Sequence, residues 1–435
     1  MIPLPVWSYG RATCWLAALL FAVLACPQNG FSLTASARPA VRRHPVRKHR
    51  LSSGTAPNLL ASRPTRHSGS RNSTRAAVIH TTRRASLRAV TARSRARGRH
   101  RIFFNPWTEP TYADSTVGDN VDGEDLAVRK AAVDALGPYN GTVIVSDPQS
   151  GRILSMVNQN LALKGAYQPC STVKVVVSLA SLKEQIVDSA SAVRVSRRSS
   201  MDMTRALAMS NNLYFARLGQ ELGFDRVQKY GHLFGLGEKA GLDIPGEEAG
   251  YLATEPPETG VGMMTSFGDG IRLTPLELTS IVSSVANGGT MYYLQYPKTE
   301  EEVQKFTPRI KRQLEISDLI PQVKAGMMGA VEYGTARRAN YSNTDELIVG
   351  KTGTCTDTAR PGVHLGWFGS FNDIGSKRLV VVVLLTGGRG VSGPIASGIA
   401  GNVYHNLDLQ SYFGPARQSA RGPTAFVPLQ NSYAQ

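Results

Sequence analysis

Long apolar runs are missing from this chain. The stretch Cys14-Trp-Leu-Ala-Ala-Leu-Leu-Phe-Ala-Val-Leu-Ala-Cys26 stops at 13 residues, short of the roughly 20 that an ordinary membrane span needs. Acidic residues are missing altogether from residues 36–101, which carry 18 Arg or Lys. Histidine gives no metal pattern: five of the eight, His44, His49, His67, His80 and His100, fall in that same basic stretch. No metal site and no cofactor are therefore expected. Cysteine is scarce. Of four, Cys14 and Cys26 lie in the N-terminal apolar stretch, leaving Cys170 and Cys355 for the rest of the chain. No internal repeat is present.

These absences divide the chain. Arg11 ahead of the apolar stretch gives residues 1–37 the form of an export signal or short membrane anchor. Cleavage after Ala35-Ser-Ala37 and lipidation at Cys26 both stay open. Residues 38–105, rich in Arg, Ser, Thr and Ala, cannot bury enough apolar surface to offset their ordering entropy and read as a disordered basic linker. A solvated tether is the first reading of this linker. A tether that also leans on an anionic membrane or wall polymer, at roughly 1 kcal/mol for each cation near such a surface, is the alternative. An exported chain rarely meets nucleic acid, and none is expected here. Residues 102–435 carry 30 basic and 32 acidic residues, a net −2 in a chain of net +17. The charge belongs to the linker, and the folded part is near neutral.

A single domain is expected over 106–412, with a disordered tail over 413–435. The pattern predicts a helix over 125–136 closed by Gly137-Pro138. Strands over 142–146 and 152–158 follow, turned by Asp147-Pro-Gln-Ser-Gly151. Over 166–182 a Pro-Cys-Ser turn is expected to run into a helix that reaches about Leu182. Helices are predicted over 203–223, 225–234, 274–287, 319–332 and 394–407, and strands over 347–354, 364–371 and 379–386. Strands at both ends with helices between imply an α+β fold, one mostly antiparallel sheet flanked by helices with a helical lobe.

Three short motifs carry chemistry. Within Tyr167-Gln-Pro-Cys-Ser-Thr-Val-Lys174, Ser171 and Lys174 stand three apart and share one helix face. A serine nucleophile needs a base within reach, and a lysine desolvated by Val175, Val176 and Val177 can have its pKa lowered enough to serve. Ser210-Asn-Asn212 interrupts an amphipathic run, and Lys351-Thr-Gly-Thr354 ends an apolar strand. S-x-x-K, S-x-N and K-T-G in this order form the signature of the penicillin-recognising serine enzymes.

Whole stretches extend the resemblance. The chain resembles the transpeptidase domain of penicillin-binding proteins over Thr142–Val157, Phe234–Glu247, Ser266–Leu278 and Ala286–Tyr292. The resemblance implies a β-lactamase/transpeptidase-like fold with its site between sheet and helical lobe. It implies that Ser171 attacks a carbonyl and forms an acyl-enzyme, that Lys174 takes its proton, and that Ser210 passes a proton to the leaving nitrogen. Asn212 is expected to hold the substrate amide. Lys351, Thr352 and Thr354 are expected to face its terminal carboxylate, and Gly353 to let the strand lie close to substrate. The Ser171 and Thr354 N–H groups are the expected oxyanion hole.

Peptidoglycan stem peptides and β-lactam antibiotics are the implied partners, and a D,D-transpeptidase or D,D-carboxypeptidase the implied enzyme. Serine β-lactamase activity and a β-lactam sensor without turnover are the alternatives. A Cys170–Cys355 disulfide is also expected, since class A carbapenem-hydrolysing β-lactamases join the same relative positions. Those β-lactamases use an extra Glu and a Ser-Asp-Asn middle motif. Here the middle motif is Ser-Asn-Asn, and neither Glu247 nor Glu248 can be assigned that role. Met209, Tyr214 and Trp367 read as core. No counterpart of the family's large N-terminal modules is expected.

Overall fold

A computed structural model describes residues 109–414, apart from 189, 343–346 and 374–376. The expected signal over 1–37, the basic linker over 38–105 and almost all of the expected tail lie outside the described residues. Phe413 is described and is buried, its ring edge-on to Tyr412, so the domain runs past residue 412.

The main sheet consists of β1 (Gly141–Ser146), β2 (Ile153–Val157), β3 (Ile348–Thr356), β4 (His364–Asn372) and β5 (Val380–Gly387). Their order across the sheet is β2-β1-β5-β4-β3, with every neighbouring pair antiparallel. Strands from the two ends of the domain thus pair at its centre, and β3 is left on an edge. The helices that bear on the site are α1 (Leu126–Leu136), α2 (Lys174–Lys183), α3 (Met203–Ala208), α4 (Asn212–Leu222), α5 (Val261–Phe267), α6 (Pro275–Ala286), α7 (Ile320–Glu332) and α8 (Gly393–Leu409).

Helices cover both faces of the sheet, which is why Val-Val-Val-Val-Leu-Leu in β5 is an unbroken apolar run rather than an alternation. On one face Val143, Val145, Val381, Val383 and Phe368 pack with α1 and α8. On the other, Val349, Leu365, Trp367, Val382 and Leu384 join the core of the helical lobe. This is the α+β architecture expected.

Local chemistry sets the helix ends. The Asp125 carboxylate accepts from the N–H groups of Ala127 and Val128 and starts α1, and Gly137 ends it at φ 57°. A Thr274–Glu277 capping box with Pro275 in the first turn starts α6. The Glu277 carboxylate also accepts from the N–H groups of Gly237, Glu238 and Gly250. It therefore fixes the loop after Phe234, and two stretches far apart in sequence become one unit.

The predicted 203–223 helix is not continuous, while over 166–182 a turn leads into a helix as expected. The 203–223 segment breaks into α3 and α4 because Ser210 turns left-handed, φ 55°, and the Asn211 side chain caps a new helix at the Tyr214 N–H. The 166–182 segment begins extended, Tyr167 exchanging backbone hydrogen bonds with Leu273, and a single 3-10 turn, Cys170–Val173, leads into α2. Short elements at 159–163, 193–201, 290–292 and 300–313 carry no sequence signal comparable to these.

Candidate active site

Ser171 lies in the 3-10 turn at the head of α2, half-buried, and Lys174 is the first residue of that helix, with no exposed surface. The turn is fixed from outside. Trp367 Nε1 donates to the Gln168 carbonyl at 2.9 Å, and both the N–H and the hydroxyl of Thr172 return to the Pro169 carbonyl. Cys170, at φ 52°, carries the chain from the extended approach into the turn. A β-carbon in that left-handed region costs about 1–2 kcal/mol.

Lys174 is the centre of the cluster. Its Nζ is 2.8 Å from Ser171 Oγ, 2.9 Å from the Ser210 carbonyl, 3.1 Å from Ser210 Oγ and 2.6 Å from Asn212 Oδ1. The break between α3 and α4 is what makes this possible, since it aims Ser210 and Asn212 at the start of α2. Four acceptors surround a group with at most three protons. The Ser210 carbonyl and Asn212 Oδ1 can only accept. A neutral amine that donates its two N–H bonds to them turns its lone pair toward the two hydroxyls.

The electrostatics favour that neutral form. Burial, with the nearby Lys351 charge adding to it, lowers the Lys174 pKa to about 6. The Phe215 ring lies 5.5 Å from Nζ and supplies part of the apolar surround. Lys351 on β3 is buried too, donates to Ser210 Oγ at 2.9 Å, and is lowered to about 7 by that burial. Among the described residues no Asp or Glu is hydrogen-bonded or ion-paired to Ser171, Lys174, Ser210 or Lys351. Two buried amines on one hydroxyl, with no carboxylate beside them, repel each other's protons.

Strand alternation sorts the rest of Lys351-Thr-Gly-Thr354. Lys351, Gly353 and Cys355 face the nucleophile turn. The hydroxyls of Thr352 and Thr354 are already engaged on the other side, the first with Thr335 Oγ1 at 2.6 Å and the second accepting from the Gly393 N–H at 2.8 Å. Each hydroxyl still has hydrogen-bonding capacity left. Asn212 likewise has its oxygen taken by Lys174, so its amide NH2 end is what remains to meet a carbonyl. At Gly353 a β-carbon would meet the Pro169 carbonyl oxygen at 2.9 Å, Trp367 Cβ at 3.1 Å and Thr172 Cγ2 at 3.2 Å. Glycine at this position lets the strand approach the nucleophile turn itself. Gly353→Ala is expected to lower stability by about 1–3 kcal/mol, read by urea unfolding, with a parallel loss in the reactivity of Ser171.

Cys170 and Cys355 form a disulfide, with their Cα atoms 5.6 Å apart. Two residues further on, the fully buried Asp357 carboxylate takes Arg272 Nη1 at 2.6 Å and Arg360 Nε at 2.8 Å. Arg272 also donates to the Ala166 carbonyl, and Arg360 stacks on Tyr167 at 4.3 Å. A polar latch therefore stands beside the disulfide, joining the end of β3 to the approach to Ser171.

Sequence reasoning missed Thr335, Phe215 and Asp357. Phe215 was within reach, three residues after Asn212 on one helix face. The other two depend on long-range packing. Tyr214 and Trp367 are buried as expected, but Met209 is 50% exposed, stranded on the break before Ser210. Glu247 holds the N–H groups of Ala240 and Gly241, and Glu248 that of Gly165, so both tie loops together.

Residues 141–405 match the penicillin binding protein transpeptidase domain. The chain is similar to stage V sporulation protein D of Bacillus subtilis, 29% identical over 62% of this chain and 47% of that protein. It is also similar to the peptidoglycan D,D-transpeptidase MrdA of Acinetobacter baumannii, 24% identical over 53% of this chain and 43% of that one. The chain thus spans about half the length of the curated relatives it matches. Among solved structures, the D,D-transpeptidase domain of a peptidoglycan glycosyltransferase from Eggerthella lenta has a TM-score of 0.54 at 19% identity, covering 66% of this chain and 82% of that one.

Proposed function

Because the chain belongs to the penicillin binding protein transpeptidase family, we propose that it is a serine D,D-transpeptidase or D,D-carboxypeptidase acting on the D-Ala-D-Ala ends of peptidoglycan stem peptides. The observation that carries this reading is the Lys174 amine, 2.8 Å from Ser171 Oγ and lowered to about 6. Neutral Lys174 takes the Ser171 proton as Oγ bonds to the carbonyl carbon of the penultimate D-Ala. The proton then passes through the Ser210 hydroxyl to the departing amine, and the C–N bond breaks. Lys351 faces the terminal carboxylate, with Thr352 and Thr354 beside it, and the Asn212 NH2 end donates to an acyl carbonyl. The N–H groups of Ser171 and Thr354 form the oxyanion hole, each donor contributing about 3 kcal/mol. The acyl group then leaves to an acceptor amine or to water.

β-Lactams mimic the same peptide end and acylate the same serine. That no carboxylate among the described residues is paired to the cluster supports a long-lived adduct over β-lactamase turnover. On this reading the domain works outside the cytoplasm, where its substrate is. Among the described residues no helix is long and apolar enough to cross a membrane.

Fluorescent penicillin followed by intact-mass and peptide mapping tests the proposal. A one-to-one adduct on Ser171 that persists for hours is expected, together with cleavage of a D-Ala-D-Ala peptide. Rapid loss of label with release of hydrolysed drug would make the protein a β-lactamase. No adduct with an intact fold would rule out the reading.

A further inference from the structure

On the reading of Ser171 as the acylated nucleophile, we propose that the Cys170–Cys355 disulfide is a positioning device. It holds residue 170 in the left-handed conformation that the nucleophile turn requires, a conformation glycine adopts freely and other residues do not. Cys170 stands at φ 52°, is fully buried and immediately precedes Ser171. Pro169 before it is fixed at φ −68°, ψ −15°, and the chain ahead of Pro169 is extended and paired to Leu273. The reversal at residue 170 swings Ser171 from that extended segment onto the head of α2. In this conformation Ser171 Oγ lies 2.8 Å from Lys174 Nζ.

The other ties do not set this angle. The Trp367 indole holds Gln168, the Arg272 guanidinium holds Ala166, and the Thr172 hydroxyl holds Pro169. Cys170 Sγ lies 3.4 Å from the Gln168 carbonyl, but among the described residues the disulfide is the covalent tie that reaches residue 170 through its own side chain. It reaches it from Cys355, the neighbour of Thr354. It thus couples the backbone angle before the nucleophile to the strand expected to supply the second oxyanion donor. Ser210, also left-handed, needs no such link, because its reversal is closed by the Ser210 and Asn211 N–H groups bonding back to Leu207 and Ala206.

The inference is that conformation at residue 170, not sulfur chemistry, is what acylation depends on. The full chain is compared as oxidised wild type, wild type reduced by dithiothreitol, Cys170→Ala/Cys355→Ala and Cys170→Gly/Cys355→Ala. In the reduction, the dithiol gives two electrons and two protons to the cystine and becomes a cyclic disulfide. The reduced wild type and the Ala variant are expected to acylate with fluorescent penicillin about tenfold more slowly, as fits a left-handed penalty at one residue. The Gly variant, with no disulfide, is expected to recover to within about threefold of the oxidised protein.

An Ala variant as fast as oxidised wild type overturns the proposal. So does a Gly variant as slow as the Ala variant. If the Ala variant fails to fold by circular dichroism, reduced wild type takes its place in the comparison. If no form of the protein is acylated, the functional reading fails by itself. Hydrogen exchange at residues 168–173, expected to be faster in the Ala than in the Gly variant, then still decides the conformational claim, and equal rates would overturn it.

Discussion

Replacing Lys174 by methionine is expected to slow the acylation of Ser171 by roughly a thousandfold, within the range for losing a general base. Methionine keeps most of the volume and takes away the amine, and with it the lone pair opposite Ser171 Oγ. Ser171 keeps its turn, which Trp367, Thr172 and the disulfide hold in place. The fold is expected to be kept, at a cost of about 1–3 kcal/mol. Methionine removes a desolvated amine that has no carboxylate partner among the described residues, but it also leaves the Ser210 carbonyl and Asn212 Oδ1 without its N–H groups. Lys174→Arg is expected to be no better than methionine, since a guanidinium stays protonated and has no lone pair to offer. Stopped-flow acylation by a chromogenic cephalosporin reads the rates. A methionine variant within tenfold of wild type would remove Lys174 from the base role.

Asp357→Ala is expected to cost about 3–5 kcal/mol of stability, the range for removing one partner from a buried ion pair. The Asp357 side chain has no exposed surface, while Arg272 and Arg360 both converge on it and the Ala359 N–H donates to it at 3.0 Å. Without the carboxylate, two guanidinium groups lose their shared partner, and Arg272 loses the orientation that carries it to Ala166. Burial by itself would raise the Asp357 pKa, but the two arginines outweigh it and hold it below its ordinary value of 3.8. The sign follows from that. A depressed carboxylate contributes stability that is present above the unfolded value and is lost as the pH falls through the folded one. The gap between wild type and Asp357→Ala in urea unfolding should therefore be full at pH 7 and shrink below about 4. A gap under about 1 kcal/mol at pH 7 would mean that the latch is not structural.

What the sequence discloses follows the range of the physics behind it. Ser171 and Lys174 are legible because a three-residue spacing fixes their relation within one turn. The strands are legible because Val-rich runs have few other uses, and their antiparallel arrangement was implied by where they fall. The break at Ser210 was not, since a polar triplet in an amphipathic run reads equally as a surface patch. Only the competition between helix continuation and Asn211 capping decides it, and that break is what delivers Ser210 and Asn212 to the lysine. Gly353 shows the same limit from another direction. A glycine in a strand announces a close approach, but only the fold tells that Pro169 is a neighbour that approaches here. Thr335 and Asp357 belong to no local pattern. They are found through partners 17 residues away in one case and 85 in the other.

In the proposed mechanism Ser171 is activated by a lysine that burial keeps neutral near physiological pH. The most direct test is the rate of Ser171 acylation in wild type from pH 4.5 to 10, with the drug in excess and folding checked at each pH. The rate is expected to climb through about pH 6 as Lys174 loses its proton and to fall above about pH 7 as Lys351 loses its own. A rate that keeps climbing toward pH 10, as for a lysine with an ordinary pKa, would contradict that mechanism.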